Sequence, residues 1–385
     1  MSEKIETLDT TDVDRWVGVP LGGGQLKEPV HVNDIRRWAQ GMQNPNPLYY
    51  DEKYAAESVH GEIVAPQSFT VCTDVGHGAT PAIQGNIPNQ HMLFGGDEWW
   101  FFGPRIKPGD LVRQERMLFD YKVTQTKFAG PTMFSRGDTT YISPNGEPIA
   151  KQRSTSIRYV AAKAREMGLF SDSKEKEWSD EELEAVEKDQ YEYFQSFLDL
   201  GHEKRQFVKA GDKLPRRPVG PHTLLSFATE WRSYTMTVWG SSYGYGKSST
   251  GRSGWTPEMS GDPEGAKIDP SRGDGLYKGP SRGHAQPRFA RHIGMPRGYG
   301  YGATMGAWIL DTLTNWGGEH CFVLYSDIKY RFPALTGDLT LIDGEVLGID
   351  YGEDGRPVAT VKVTMTNQDG DLMAGGEARV LLPSE

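Results

Sequence analysis

The sequence predicts an α+β fold made of two similar halves, and three observations lead to that prediction. The motif Gly-Asp-Leu occurs at 109–111 and again at 337–339, 228 residues apart, each time shortly after a proline and before a strand-rich stretch. Alternating apolar and polar residues indicate strands with one solvated face. A long apolar stripe at helical spacing indicates a buried helix. Self-similarity at a fixed offset is typical of a duplicated structural unit.

Helix signals precede the strands in each half. Near the start, Ile35, Trp38, Ala39 and Met42 share one helical face, and Asn33 is the candidate N-cap. In the second half a longer apolar face is formed by Met305, Trp308, Ile309, Thr312, Leu313 and Trp316.

Strand signals end each half. Residues 328–332 and 361–365 alternate apolar with polar side chains, which is the period of a strand with one face buried. Hairpin signals follow in both halves, at Asn145-Gly146-Glu147 and at Asp369-Gly370-Asp371. Each half is therefore predicted to run from helices into several antiparallel strands.

An acidic segment separates the halves. Between Asp172 and Lys204 there are twelve acidic and four basic side chains, a local charge of −8 within a chain of net charge −10. Ser179 and Glu182 have the spacing of a capping box, so a helix is predicted to begin there. We expect a solvated connector helix, with docking to a basic partner as the alternative.

A glycine-rich segment at 240–283 has neither helical nor strand periodicity and no phosphate-loop or dinucleotide fingerprint. Segments of this kind are lids, binding loops or disordered inserts. The predicted organisation is a first unit at 1–165, a helical connector at 166–204, and a second unit at 205–385 that carries the insert.

Composition excludes several classes of protein. The net charge of −10 argues against a dedicated nucleic-acid binder. No run approaches the ~20 apolar residues of a membrane helix. Residues 1–14 lack the basic start and apolar stretch of a secretory signal, so we expect a cytoplasmic protein. Two cysteines, Cys72 and Cys321, make no disulfide framework, and the usual zinc and calcium motifs are absent from the sequence.

Short segments in both halves resemble the MaoC-like family of hot-dog acyl-CoA hydratases and dehydratases, which includes the R-specific enoyl-CoA hydratases. In the first half these are Trp38-Ala39, Asn46-Pro47-Leu48-Tyr49-Tyr50-Asp51, Tyr54-Ala55-Ala56 and Ala65-Pro66. In the second half they are His284, Phe289-Ala290, Gly294-Met295-Pro296, Gly302, Thr314-Asn315-Trp316, Phe332-Pro333-Ala334 and Gly337-Asp338.

The resemblance implies a double hot-dog fold, with two antiparallel sheets each wrapped around a central helix. It implies reversible hydration or dehydration of an acyl-CoA thioester, between 2-enoyl-CoA and 3-hydroxyacyl-CoA, without a metal or redox cofactor. The protein is expected to be a homo-oligomer or to pair with a related hot-dog subunit, and to have no nucleic-acid or membrane partner. Its many aromatic residues fit a bulky acyl group.

The first half departs from the family motif Gly-Asp-x-Asn-Pro-x-His. Asn44 stands at the Asp position and Tyr49 at the His position. Asn does not titrate and Tyr has an ordinary pKa near 10, so neither is a general base at neutral pH. The first half is therefore expected to be non-catalytic, and Asn44 and Tyr49 are expected to contact the substrate.

The second half keeps the His of the motif as His284, but Gly279 stands at the Asp position, and the nearest preceding carboxylate is Asp274. The resemblance implies that His284 is the general acid/base and that Asp274 is its partner, with Glu230 as an alternative carboxylate. Gly302 opens the central helix, whose backbone N–H groups would hold the developing oxyanion.

Three further residues are expected to bind substrate: Tyr299 and Tyr301 as pocket walls, and Arg291 at the CoA phosphates. Two other functions stay open. A hot-dog thioesterase would need a carboxylate on the central helix, and Asp311 is the one available. A non-catalytic acyl-CoA-binding subunit of a hydratase complex would explain the missing Asp-x-Asn-Pro.

Overall fold

A computed structural model describes residues 7–26, 28–74, 78–234 and 282–384. Asp274 and nearly all of the predicted insert, 240–283, lie outside these ranges. The described strands are β1 (Pro20–Gln25), β2 (Gln90–Phe101), β3 (Arg113–Thr126), β4 (Gly130–Ile142), β5 (Pro148–Val160), β6 (Arg217–Val219), β7 (Phe322–Tyr330), β8 (Thr340–Tyr351), β9 (Pro357–Asn367) and β10 (Leu372–Leu381).

These strands form one antiparallel sheet in the order β1-β3-β4-β5-β2-β7-β10-β9-β8-β6. Read outwards from the centre, the two halves have the same strand order, which is what a duplicated unit requires. The predicted antiparallel sheets of the two halves are continuous with each other, because β2 pairs directly with β7. Residues 96–100 of β2 lie opposite residues 325–329 of β7 and join the halves edge to edge.

The described helices are α1 (Thr11–Asp14), α2 (Val32–Gly41), α3 (Glu52–Glu57), α4 (Ala161–Met167), α5 (Asp180–Leu198), α6 (Leu224–Ser233), α7 (Arg282–Ala285), α8 (Pro287–His292) and α9 (Gly302–Gly317). The predicted apolar stripe lies on α9, in which residues 303–317 are all buried. This helix is the predicted central helix of the second half.

Among the described residues of the first half, no α-helix occupies the equivalent place. A 3₁₀ helix at Gln67–Thr73 lies there instead and packs against α9. Its sequence contains Thr70, Val71 and Thr73, and β-branched residues lose side-chain freedom in an α-helix. The two central helices are therefore unequal.

The N-caps of the helices and the hairpin turns can be compared with their predictions from local sequence. The capping box of α5 is present as predicted, with Ser179 Oγ accepting from Glu182 N at 3.2 Å. The N-cap of α2 is His31 rather than Asn33: His31 Nδ1 accepts from Asn33 N, and the Asp34 carboxylate accepts from His31 N. Two predicted hairpin turns lie where expected, between β4 and β5 and between β9 and β10.

The acidic helix α5 is attached to the second half. Tyr193 Oη accepts from Asn315 Nδ2 of α9 at 3.2 Å, and Gln190 Nε2 donates to the Gly220 carbonyl at 2.8 Å. Within the described ranges, none of the helices combines the length and apolarity needed to cross a membrane.

Candidate active site

A cavity of about 290 Å³ lies at the N-terminal end of α9. Its walls come from β2, the β3–β4 hairpin, β5, residues 169–170, residues 299–303 and residues 330–333. The aromatic side chains that line it are Phe94, Phe128, Phe134, Phe170, Tyr299, Tyr301, Tyr330 and Phe332. The volume is close to the lower end of the roughly 300–1,000 Å³ of ligand sites, and a mostly apolar lining with a few polar groups is typical of them.

His284, on α7, borders this cavity and is held in a defined orientation. Its Nδ1 lies 2.7 Å from the carbonyl oxygen of Tyr299, and its ring packs on Tyr301 at a centroid distance of 4.1 Å. A carbonyl only accepts, so Nδ1 carries the hydrogen. Nε2 is then the basic nitrogen of the neutral ring.

The N-terminus of α9 lies at the same cavity, because Gly302 and Ala303 line it. The first N–H groups of a helix have no acceptor within the helix, and the helix dipole makes this end electropositive. The N-cap, Tyr301, adds no side-chain hydrogen bond. The geometry therefore places hydrogen-bond donors and a basic nitrogen around one apolar space.

Gly302 is also required by packing. A Cβ at this position would stand 2.5 Å from the Cβ of Phe94 on β2, closer than such atoms come in proteins. Because Gly302 has no side chain, the start of α9 can pack closely against β2 and its backbone is open to the cavity.

Four of the sequence-predicted site residues, His284, Gly302, Tyr299 and Tyr301, come together around the cavity. Arg291 does not belong to its lining and is exposed on α8. The described residues contain no group of three or more His, Cys, Asp or Glu side chains placed to hold a metal ion.

Asn44 and Tyr49 lie outside the cavity lining and are buried, and Asn44 contacts the last turn of α9. Asn44 Oδ1 accepts from Asn315 Nδ2 at 3.1 Å, and Asn46 Nδ2 donates to Asn315 Oδ1 at 3.1 Å. Burial raises the pKa of Tyr49 to about 12, against the opposing effect of Arg105. The motif positions of the first half therefore hold the two halves together.

The place in the first half that is equivalent to the cavity is almost filled. At the start of the 3₁₀ helix, a space of about 10 Å³ remains among side chains that include Gln67, Arg105 and Phe322. The space at the start of the 3₁₀ helix is therefore too small for a ligand, unlike the cavity at the start of α9.

We expect Asn44→Ala to lower stability rather than turnover. The change removes one of the two acceptors of Asn315 Nδ2 in a buried network, which costs about 1–3 kcal/mol in the free energy of unfolding. Urea unfolding and steady-state kinetics test this, with Tyr49→Phe as the companion variant. A thousandfold fall in turnover for either variant, with the fold intact, would show that the first half is catalytic.

Asp97 and Tyr330 form a buried pair behind the cavity wall that sequence reasoning missed. Tyr330 lines the cavity, and its hydroxyl donates to Asp97 Oδ1 at 3.2 Å. Asp97 also accepts from Trp99 Nε1 at 2.9 Å and from Gln152 Nε2 at 3.4 Å. The pair links β2 with β7, one strand from each half, so no local sequence pattern could reveal it.

The pH dependence of stability should carry the signature of Asp97. Burial raises the pKa of this carboxyl to about 6, above its ordinary 3.8, so the folded state binds the proton more tightly than the unfolded state. Its stabilising contribution is therefore full below pH 3.8 and is lost, by about 3 kcal/mol in all, as the pH rises through 6. Urea unfolding of the parent and of Asp97→Asn between pH 4 and 7 measures this. Parallel curves for the two proteins would refute it.

Two other candidate carboxylates lie away from the cavity lining. Asp311 is fully buried, accepts from Ser68 Oγ at 2.6 Å, and has a pKa raised by burial. Glu230, on α6, is fully buried with no hydrogen-bond partner among the described residues, and burial raises its pKa well above the ordinary value.

The continuous ten-stranded sheet, the buried α9 and the cavity at its start define a double hot-dog protein. Solved structures have the same fold. A protein described as a MaoC-like dehydratase superposes with a TM-score of 0.59 at 16% identity, over 97% of this chain and 100% of that one. A Mycobacterium tuberculosis protein described as having a double hot-dog fold gives a TM-score of 0.51 at 11% identity, over 96% and 98%.

Sequence comparisons agree. A family model described as "FAS1-like, dehydratase domain region" matches residues 15–152. A Thermomonospora curvata protein named "Probable enoyl-CoA hydratase alpha subunit" is 25% identical over 246 residues, which are 60% of this chain and 74% of that protein. These similarities support the predicted resemblance to the MaoC-like hot-dog family.

Proposed function

We propose that this protein catalyses the reversible hydration of a 2-enoyl-CoA to a 3-hydroxyacyl-CoA, with His284 as general acid/base. The observation that carries the proposal is the meeting of His284 with the N-terminus of α9 at one apolar cavity. The dehydratase family match and the relative named as an enoyl-CoA hydratase subunit support the same reaction class.

In the hydration direction, Nε2 of His284 takes a proton from water as the oxygen bonds to Cβ. The electron pair of the double bond moves towards the thioester, and its carbonyl oxygen becomes negative. The N–H groups at the start of α9 stabilise that oxygen, a contribution worth roughly 10²–10³ in rate per donor. The imidazolium then returns its proton to Cα. Water is thereby added across the double bond, and no metal or redox cofactor takes part.

The acyl group is proposed to be bulky or ring-containing. The cavity wall is rich in aromatic side chains, among them Phe94, Phe128 and Phe134 from three different strands or turns of the first half. Aromatic walls contact flat or branched acyl groups over a large area.

Two alternatives differ from this proposal in what the protein does to the thioester. A thioesterase would use the carboxylate on the central helix, but Asp311 is buried against Ser68, outside the cavity lining. A non-catalytic acyl-CoA-binding subunit fits the loss of Asp-x-Asn-Pro, and the relative named as an alpha subunit favours pairing with a related hot-dog chain.

The test follows the absorbance of the conjugated enoyl thioester on mixing with a panel of enoyl-CoAs, alongside a free-thiol assay. Loss of absorbance without thiol release is expected. Thiol release would indicate a thioesterase. Binding of a saturated acyl-CoA by calorimetry, with neither signal, would identify a binding subunit and overturn the proposal.

A further inference from the structure

Three aromatic rings form an arch over one side of the cavity. Phe170 packs against Phe128 at a centroid distance of 5.7 Å and against Phe332 at 5.2 Å. Phe128 lies in the β3–β4 hairpin and Phe332 just after β7, so the arch spans both halves, and all three rings line the cavity.

A cationic side chain stands next to each end of this arch. Arg331 immediately precedes Phe332, is exposed, and itself lines the cavity. Lys127 immediately precedes Phe128, is exposed, and follows Thr126, which also lines the cavity. Arg331 therefore lies at the rim, where apolar lining gives way to solvent, and Lys127 lies between two lining residues in the sequence.

Among the described residues, no protein group pairs with the side chain of either cation. Within the described ranges, the guanidinium of Arg331 and the ammonium of Lys127 have no ion pair or hydrogen bond. Arg297, by contrast, is committed to Asp338 Oδ1 at 2.8 Å and to the Thr336 carbonyl at 2.6 Å. In a chain of net charge −10, a cation at the rim of an apolar cavity with no partner among the described residues favours the binding of an anion.

We propose that Arg331, assisted by Lys127, binds phosphate groups of the CoA carrier while the acyl group occupies the cavity. The planar guanidinium binds phosphate oxygens two at a time, which a lysine cannot do, so Arg331 is assigned the larger share. This inference rests on the proposed function and replaces Arg291, which is not part of the cavity lining, as the phosphate-binding residue.

The experiment compares an enoyl-CoA with the same enoyl group on N-acetylcysteamine, which carries no phosphate. For Arg331→Gln we expect KM for the enoyl-CoA to rise roughly ten- to hundredfold, the value of a hydrogen bond to a charged group, with kcat within about twofold. The kcat/KM for the phosphate-free thioester should be unchanged. Lys127→Gln should shift KM for enoyl-CoA in the same direction by less.

The matched control is Arg356→Gln, an exposed arginine in the β8–β9 turn that pairs with Asp354 at 2.6 Å and lies outside the cavity lining. It should leave both substrates unaffected. Equal losses for both thioesters in Arg331→Gln would show that Arg331 shapes the cavity and would overturn the inference, as would no loss for either.

Calorimetry with CoA itself separates this inference from the proposed reaction. If the protein turns over neither thioester, the proposed function fails. A CoA affinity that Arg331→Gln lowers at least tenfold would still support the phosphate site. Unchanged CoA binding in Arg331→Gln would refute it regardless of turnover.

Discussion

Replacing His284 with alanine is expected to lower kcat/KM for an enoyl-CoA by roughly 10²–10⁴, the usual contribution of a positioned general acid/base. The ring borders the cavity with Nδ1 bonded to the Tyr299 carbonyl, which leaves Nε2 to exchange protons with the reacting groups. Binding of a saturated acyl-CoA should be nearly unchanged, because the lost interaction is made mainly in the transition state.

The matched control is His320→Ala. His320 follows the C-terminal end of α9. This helix has 16 residues and is about 24 Å long, so His320 lies at the end opposite to Gly302. It should retain the parental rate, and circular dichroism should show both variants folded. A folded His284→Ala protein that hydrates enoyl-CoA at the parental rate would exclude the mechanism.

Asp274→Asn tests the carboxylate that the family resemblance assigns to His284. Asp274 lies outside the described residues, and its role stays a prediction. If the two act as one unit, the double substitution should cost little more than the worse single substitution. An additive loss would mean that Asp274 acts separately, and a silent Asp274→Asn would mean that the partner is another group.

Gly302→Ala is expected to reduce kcat by roughly 10²–10³, because the new Cβ would stand 2.5 Å from Phe94 Cβ and push the helix start away from the sheet. That displacement moves the N–H donors from the position of the developing oxyanion. Stability should also fall, by about 1–3 kcal/mol, as for other overpacked positions. Stopped-flow enoyl absorbance and urea unfolding measure the two effects.

Gly306→Ala separates catalysis from overpacking. Gly306 lies one turn further along α9, where a Cβ would stand 2.5 Å from Tyr330 Oη, but it does not line the cavity. It should lose a similar amount of stability and much less turnover. Equal rate losses in the two variants would show that the start of α9 has only a packing role.

Local sequence patterns predicted much of the fold because they report burial directly. The apolar stripe at 305–316 became the buried α9, and Ser179 with Glu182 formed the capping box of α5. Of the site, His284, Tyr299, Tyr301 and Gly302 all lie within the 19 residues from 284 to 302, in the part of the second half that resembles the family. All four lie around one cavity. Groups close in sequence are placed by short-range geometry, so a motif can place them together.

The sequence by itself thus predicted the duplication, the resemblance to the MaoC-like family, the buried central helix and the place of His284 and Gly302 at one site. Only the tertiary structure decided how the halves meet. The β2–β7 pairing, the Asp97–Tyr330 hydrogen bond, the contact of Asn44 with Asn315 on α9, and the place of Arg331 in the cavity lining all depend on it. The first three contacts join residues about 230–270 positions apart. Arg331 lines a cavity whose walls come from both halves. Their register follows from packing across the sheet, which no local periodicity encodes.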